Sequence, residues 1–104
     1  MILTTTNEIA GKQVEHLGLV LGSVVRTKNV IRDIGANFKS VIGGEVHAYT
    51  ELMNEARAIA SQRMIDQAQQ YGADAIIAVR YQTCSVMGGA SEVMAYGTAV
   101  KYVN

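Results

Sequence analysis

Residues 45–71, EVHAYTELMNEARAIASQRMIDQAQQY, run from Glu45 to Tyr71 without a glycine or a proline. Their apolar members Tyr49, Leu52, Met53, Ala56, Ile59, Ala60, Met64, Ala68 and Tyr71 recur mostly in steps of three and four, the spacing that gathers side chains on one face of an α-helix. Glu45 in the first turn complements the helix dipole, and Gly72 stands where a left-handed C-terminal cap belongs. At 1.5 Å per residue the helix is about 40 Å long. The many alanines, Ala48, Ala56, Ala58, Ala60 and Ala68, predict a close neighbour along it.

Strands flank this helix on both sides. Residues 14–27, VEHLGLVLGSVVRT, are aliphatic and β-branched, and a strand of that length extends about 46 Å. Gly18 and Gly22 should therefore mark bends or bulges where it changes partner. Downstream, residues 74–83 alternate Ala75, Ile77, Val79 and Tyr81 against Ile76, Ala78, Arg80 and Gln82, a strand signature. Residues 92–103 set Val93, Ala95, Gly97 and Ala99 against Met94, Tyr96, Thr98, Val100 and Tyr102, with Gly88-Gly89 between the two runs as the turn of a hairpin. A short strand is available at Ile2 to Thr5. Residues 28–44 lose the alternation and read as a loop, with a short helical turn near Ile31 to Phe38. The fold class is α+β: a two-layer β-α-β-β subunit, one long helix on a mainly antiparallel sheet, in a single domain spanning residues 1–104.

A single helix covers one face of such a sheet, so a monomer needs a polar opposite face. Here both faces are apolar: Leu17, Leu19 and Leu21 oppose Val20 and Val24 on the first long strand, and Met94, Tyr96 and Val100 oppose Val93, Ala95 and Ala99 on the last. Roughly six surplus side chains at about 1.5 kcal/mol each amount to about 9 kcal/mol, comparable to the net stability of a domain. Self-association into a closed homo-oligomer that also pairs the sheet edges is the expected remedy.

Composition narrows the function. The chain has 104 residues, nine basic and nine acidic, for a formal charge of zero. No net field draws it to nucleic acid or to an anionic membrane. Six aromatics and no tryptophan leave a core of aliphatic and methionine side chains. One cysteine excludes an intrachain disulfide and a four-cysteine zinc site. The start lacks a positive region followed by an apolar run, and no stretch of about 18 apolar residues occurs. The expected setting is soluble, reducing and cytoplasmic.

The order and spacing of several short segments resemble the YbjQ-like family of uncharacterised bacterial proteins. They are Thr4-Thr5-Thr6, Gly18 and Gly22, Asn29-Val30-Ile31-Arg32-Asp33, Gly43-Gly44, Tyr49, Ala56-Arg57, Ala60, Gly72-Ala73-Asp74-Ala75-Ile76 and Gly97-Thr98-Ala99-Val100. The resemblance spans nearly the whole chain. It implies a dodecin-like subunit in a homopentameric ring, and it carries a heavy-metal-binding label but no catalytic set. Ala78-Val79-Arg80-Tyr81-Gln82 departs from the acidic Gly-Val-Asp-Val-Asp type of stretch in some relatives, and Arg80 would oppose a cation there.

Candidate chemistry is sparse. Soft-metal ligation would draw on Cys84, His16, His47, Met87 and Met94, but no Cys-x-x-Cys or His-x-x-x-His pattern joins them, so a buried or inert thiol is the plainer reading of Cys84. A ring could instead bring Cys84 of each copy around an axis. Arg26, Lys28, Arg32 and Lys39, followed by Gly43-Gly44 and a helix start, could cradle an anion; charges paired with neighbours such as Glu55 or Arg57 are the simpler account. Tyr49, Tyr71, Tyr81, Tyr96 and Tyr102 could line a flat-ligand pocket between copies, although core or interface packing explains most of them. The leading expectation is a non-enzymatic homo-oligomer that takes a metal ion or small ligand between subunits. The alternative is an enzyme with an intersubunit site around Cys84, His47 and Arg57.

Overall fold

The structure, a computed structural model, describes residues 1–27 and 44–103, without the side chains of residues 44–49. Among these residues the strands and the α-helix follow in the order strand β1 (Ile2–Leu3), strand β2 (Val14–Arg26), helix α1 (Gly44–Gln70), strand β3 (Ala75–Ser85) and strand β4 (Ser91–Tyr102), with a 3-10 turn at Met87–Gly89 between β3 and β4. They form one mixed sheet in the order β1-β3-β4-β2, with α1 on one face. β1 runs parallel to β3, and the other pairs are antiparallel. The expected loop and helical turn over residues 28–43 lie outside the described residues.

The helix sits where its periodicity places it. Leu52, Met53, Ala56, Ala60, Met64 and Ala68 are buried, and most of them pack on Val20, Val24, Ile76, Val79, Val93, Ala95 and Ala99. Tyr71 is the exception: the helix ends at Gln70 and Tyr71 is exposed. The reason is the cap. Gly72 takes φ +75°, and the amides of Tyr71, Gly72 and Ala73 donate to the carbonyls of Ala68, Gln69 and Ala68, which turns Tyr71 off the helix face. Asp74 then accepts the Tyr102 amide at 2.8 Å while its own amide donates to Val100 O, fixing the helix exit to the end of β4.

The alanine-lined approach is real, and its counterpart is Gly22. A Cβ there would lie 2.3 Å from Ala60 O and 2.4 Å from Met64 N, so only a hydrogen fits between strand and helix. Gly22 therefore marks close approach, without a bend. Gly18 does follow a bulge, the register slipping between His16 and Gly18, yet β2 keeps β4 as its partner throughout. The extra residue, Leu17, packs on the helix-side core.

β3 does not alternate as the sequence suggests. Ala75 and Ile77 face away from the helix, but a second bulge, with Ala78 at φ +54°, shifts the register between Ile77 and Arg80. Val79 joins the helix-side core, and Arg80, Gln82 and Cys84 face the opposite way. The N-terminal segment holds this bulge: Ala78 and Val79 amides donate to Thr6 O and Thr4 O at 2.9 Å each, and the Arg80 guanidinium donates to Thr5 O at 3.0 Å. Thr4 and Thr6 hydroxyls are hydrogen-bonded to each other at 2.9 Å. Two residues thus oppose Gly97, where a Cβ would meet Ile76 Cγ2 at 2.8 Å and Ile77 O at 2.9 Å.

Candidate functional site

The outer face of the sheet, away from α1, carries the unusual surface chemistry. Strand register arranges it in rows across β2, β4 and β3: Leu19, Thr98, Ile77; then Leu21, Tyr96, Arg80; then Ser23, Met94, Gln82; then Val25, Glu92, Cys84. The β2 column is largely apolar and the last three rows end in polar β3 residues. The lower end is covered by the chain itself, where Ile9, Val14 and Tyr102 pack on Ala75, Ile77 and Val100. The Lys12 ammonium lies 5.0 Å from the centre of the Tyr102 ring, a cation-π contact. Above that cover, Leu19, Leu21 and Val25 are 64%, 42% and 52% exposed, while Tyr96 and Met94 are half-buried. The surplus apolar surface expected from the sequence is present, reduced at one end by the chain's own N-terminal segment.

The top row brings a thiol and a carboxylate together on this face. Cys84 Sγ lies 3.8 Å from Glu92 Oε1 across the β3-β4 ladder, with Met94 one row below. Cys84 is exposed, which corrects the buried half of the expectation of a buried or inert thiol: the hairpin alternation turns position 84 to the uncovered side of the sheet. Glu92 escaped the sequence reading, although a turn centred on Gly88 pairs residues whose numbers sum to about 176, and so Cys84 with Glu92. His16 pairs with Val100 at the far end, and Met87, 92% exposed, caps the hairpin tip. Thiol, carboxylate and thioether on one patch do not enclose an ion. No cluster of three or more His, Cys, Asp or Glu side chains occurs among the described residues, so the described donors of one chain do not by themselves form a heavy-metal centre.

The other candidates are dispersed. Arg57 lies on the solvent side of α1, bonded to Asn54 Oδ1, across the sheet from Cys84, and the His47 side chain lies outside the described residues. A single chain thus does not assemble Cys84 and Arg57 into an active site. Arg26 pairs with Glu55 at 3.2 Å; Lys28, Arg32, Asp33, Lys39 and Gly43 lie outside the described residues. Tyr81 reaches the helix side, its hydroxyl 2.7 Å from Ser61 Oγ, whereas Tyr96 and Tyr102 face outward, so the described tyrosines do not converge on one pocket; the Tyr49 side chain lies outside the described residues. A cavity of about 620 Å³ is lined by Asn7, Glu8, Lys12, Gln13 and His16 among others; it is open to solvent, and its lining includes no serine, threonine or cysteine.

These features define a small α+β domain of one helix on a four-stranded mixed sheet. The family model described as "Putative heavy-metal-binding", of YbjQ type, matches residues 1–103, and the chain belongs to that family. A UPF0145 protein of Alkaliphilus metalliredigens is 53% identical over 103 residues, covering 99% of this chain and all of its own. A UPF0145 protein of Thermosipho africanus is 55% identical over 102 residues, 97% of this chain and 94% of that one. The crystal structure of a protein of unknown function from Pediococcus pentosaceus, in the DUF74 family, superposes with a TM-score of 0.57 at 21% identity, covering 99% of this chain and 98% of that one. That likeness confirms the fold. No helix among the described residues is long and apolar enough to cross a membrane.

Proposed function

We propose that the protein is a non-enzymatic cytoplasmic homo-oligomer, a dodecin-like ring of five copies, that holds a heavy-metal ion or small ligand between subunits. The observation that carries this reading is the outer face: Leu19, Leu21 and Val25 stand in water in the lone chain, and burial by another copy recovers about 1.5 kcal/mol or more for each fully covered side chain. The shape agrees. The radius of gyration is 16.9 Å, with extents of 56 × 26 × 18 Å, against about 13 Å for a compact chain of this size. The zero formal charge removes long-range repulsion between copies.

Ligand binding rests on the family description and on donor chemistry. Each copy offers one thiolate-forming group beside one carboxylate on the associating face, and a second copy is needed to complete a coordination sphere. Native mass spectrometry of the purified protein with elemental analysis tests both parts. Five-fold mass with stoichiometric soft metal, lost in Cys84→Ser, supports the full reading; five-fold mass without metal leaves the organic-ligand form. A folded single copy at micromolar concentration overturns the ring.

A further inference from the structure

The two long edges of the sheet are finished differently. Side chains of its own helix take two of the outward groups of β2: the Leu21 amide donates to Gln67 Oε1 at 2.8 Å, and the Arg63 guanidinium donates to Ser23 O at 2.6 Å. β3 is covered on its outer side only at its start, by β1 and by Thr4 and Thr6, which take the amides as far as Val79. Among the described residues, the backbone from Arg80 to Ser85 is paired with β4 alone, and all six residues are exposed. Every second residue there aims its amide and carbonyl away from the sheet.

Exposed edges in proteins are normally guarded by a charge, a proline, a bulge or a covering segment. Residues 80–85, Arg-Tyr-Gln-Thr-Cys-Ser, contain no proline and a single charge. That charge is not a guard, because the Arg80 guanidinium is folded back onto Thr5 O and Val79 O. The bulge at Ala78 lies before the open stretch and leaves Arg80–Ser85 in regular register with β4. Next to this edge the hairpin tip presents Val86 and Met87, 42% and 92% exposed, and Tyr81 is 47% exposed.

We infer that the open edge Arg80–Ser85 of β3 is a backbone-pairing surface for an extended segment of a second copy of this chain. The inference rests on the self-association reading and adds the contact that sets its direction. Three side chains and six residues of strand fall short of the roughly 800 Å² per partner that a stable association buries, so the edge alone does not retain a short foreign peptide. A second copy brings more: the apolar column Leu19, Leu21 and Val25 lies at the opposite margin of the same sheet. The open edge and the apolar column are different patches on opposite margins, so a contact that uses both is head-to-tail, the kind that closes into rings.

Residue-resolved amide hydrogen exchange on the full-length protein, paired with native mass spectrometry, tests this. In the oligomer the outward amides of residues 80–85 should exchange at least 100-fold more slowly than unpaired amides, matching the inward set bonded to β4. In Leu19→Glu, if it is a single copy, only the inward set should stay slow. An oligomer whose outward amides exchange at unpaired rates overturns this inference and leaves self-association standing. Wild-type protein found as single copies overturns both. Outward amides that stay slow in a single-copy variant belong to the chain's own cover, and the inference fails.

Discussion

Replacing Gly22 by alanine adds one methyl group where helix and strand touch. That methyl would sit 2.3 Å from Ala60 O, 2.4 Å from Met64 N and 2.7 Å from Arg63 Cβ. Two of these are helix backbone atoms, so no side-chain rotation relieves the overlap, and α1 must lift by about 1 Å to reach ordinary contact distances. A gap of 0.5–1 Å forfeits roughly a quarter to a half of the dispersion energy of the atoms that line it. The strip affected includes Val20, Val24, Ala56, Ala60 and Met64. Glycine-to-alanine changes in compatible positions stabilise by about 0.4–1 kcal/mol through the unfolded chain, which partly offsets the clash. Overpacking costs typically 1–3 kcal/mol and occasionally more; with backbone on the far side, a net loss of about 3 kcal/mol is expected. For a domain of this size that lowers Tm by about 12–24 °C. Thermal unfolding followed by circular dichroism, with variant and parent at equal protein concentration, reads it directly. A Gly22→Ala protein melting within about 3 °C of the parent, or above it, would refute the close-approach account.

Four further outcomes follow from other contacts. Leu19→Glu, at an exposed position, should change the stability of the single chain by no more than about 0.5 kcal/mol while lowering the mass seen by light scattering; an unchanged mass counts against burial of the outer face between copies. Ala78→Gly should stabilise by about 1 kcal/mol, because alanine at φ +54° carries left-handed strain that glycine does not, and urea unfolding checks the sign. Asp74→Ala removes the acceptor of the Tyr102 amide and should cost about 1–2 kcal/mol, seen as an earlier urea midpoint with unchanged slope. Gln67→Ala should speed hydrogen exchange at Leu21 while leaving the amides between β2 and β4 slow, since it uncovers one edge group.

Much of the architecture was legible because it depends on local periodicity. The helix from residue 44 to 70, the long strand from 14 to 26 and the hairpin around Gly88-Gly89 differ from their sequence readings by no more than two residues at any boundary. The short N-terminal strand also exists, although its parallel partner could not be read locally. What pattern reading missed is non-local. The bulge at Ala78 depends on Thr4 and Thr6 accepting backbone amides more than 70 positions away, so alternation through Tyr81 looked regular and placed half of β3 on the wrong face. Gly22 read as a bend because only the packed helix reveals the space a glycine leaves. At the candidate site, Cys84 was visible as a residue type, but its exposure and its neighbour Glu92 are products of hairpin register. Arg57 could not be separated from Cys84 without knowing that the helix and the thiol lie on opposite sides of the sheet.

The order β1-β3-β4-β2 also constrains how the chain is made. β2 ends at Arg26, yet its partner β4 is completed only at Tyr102. At synthesis rates of about 5–20 residues per second, the ribosome adds those intervening residues over roughly 4–15 s. Throughout that interval Leu19, Leu21 and Val25 emerge on a strand with no sheet to join, while Thr4 and Thr6 wait for a bulge not yet translated. The sheet therefore closes only with the last dozen residues, which act as the latch that ends this exposure.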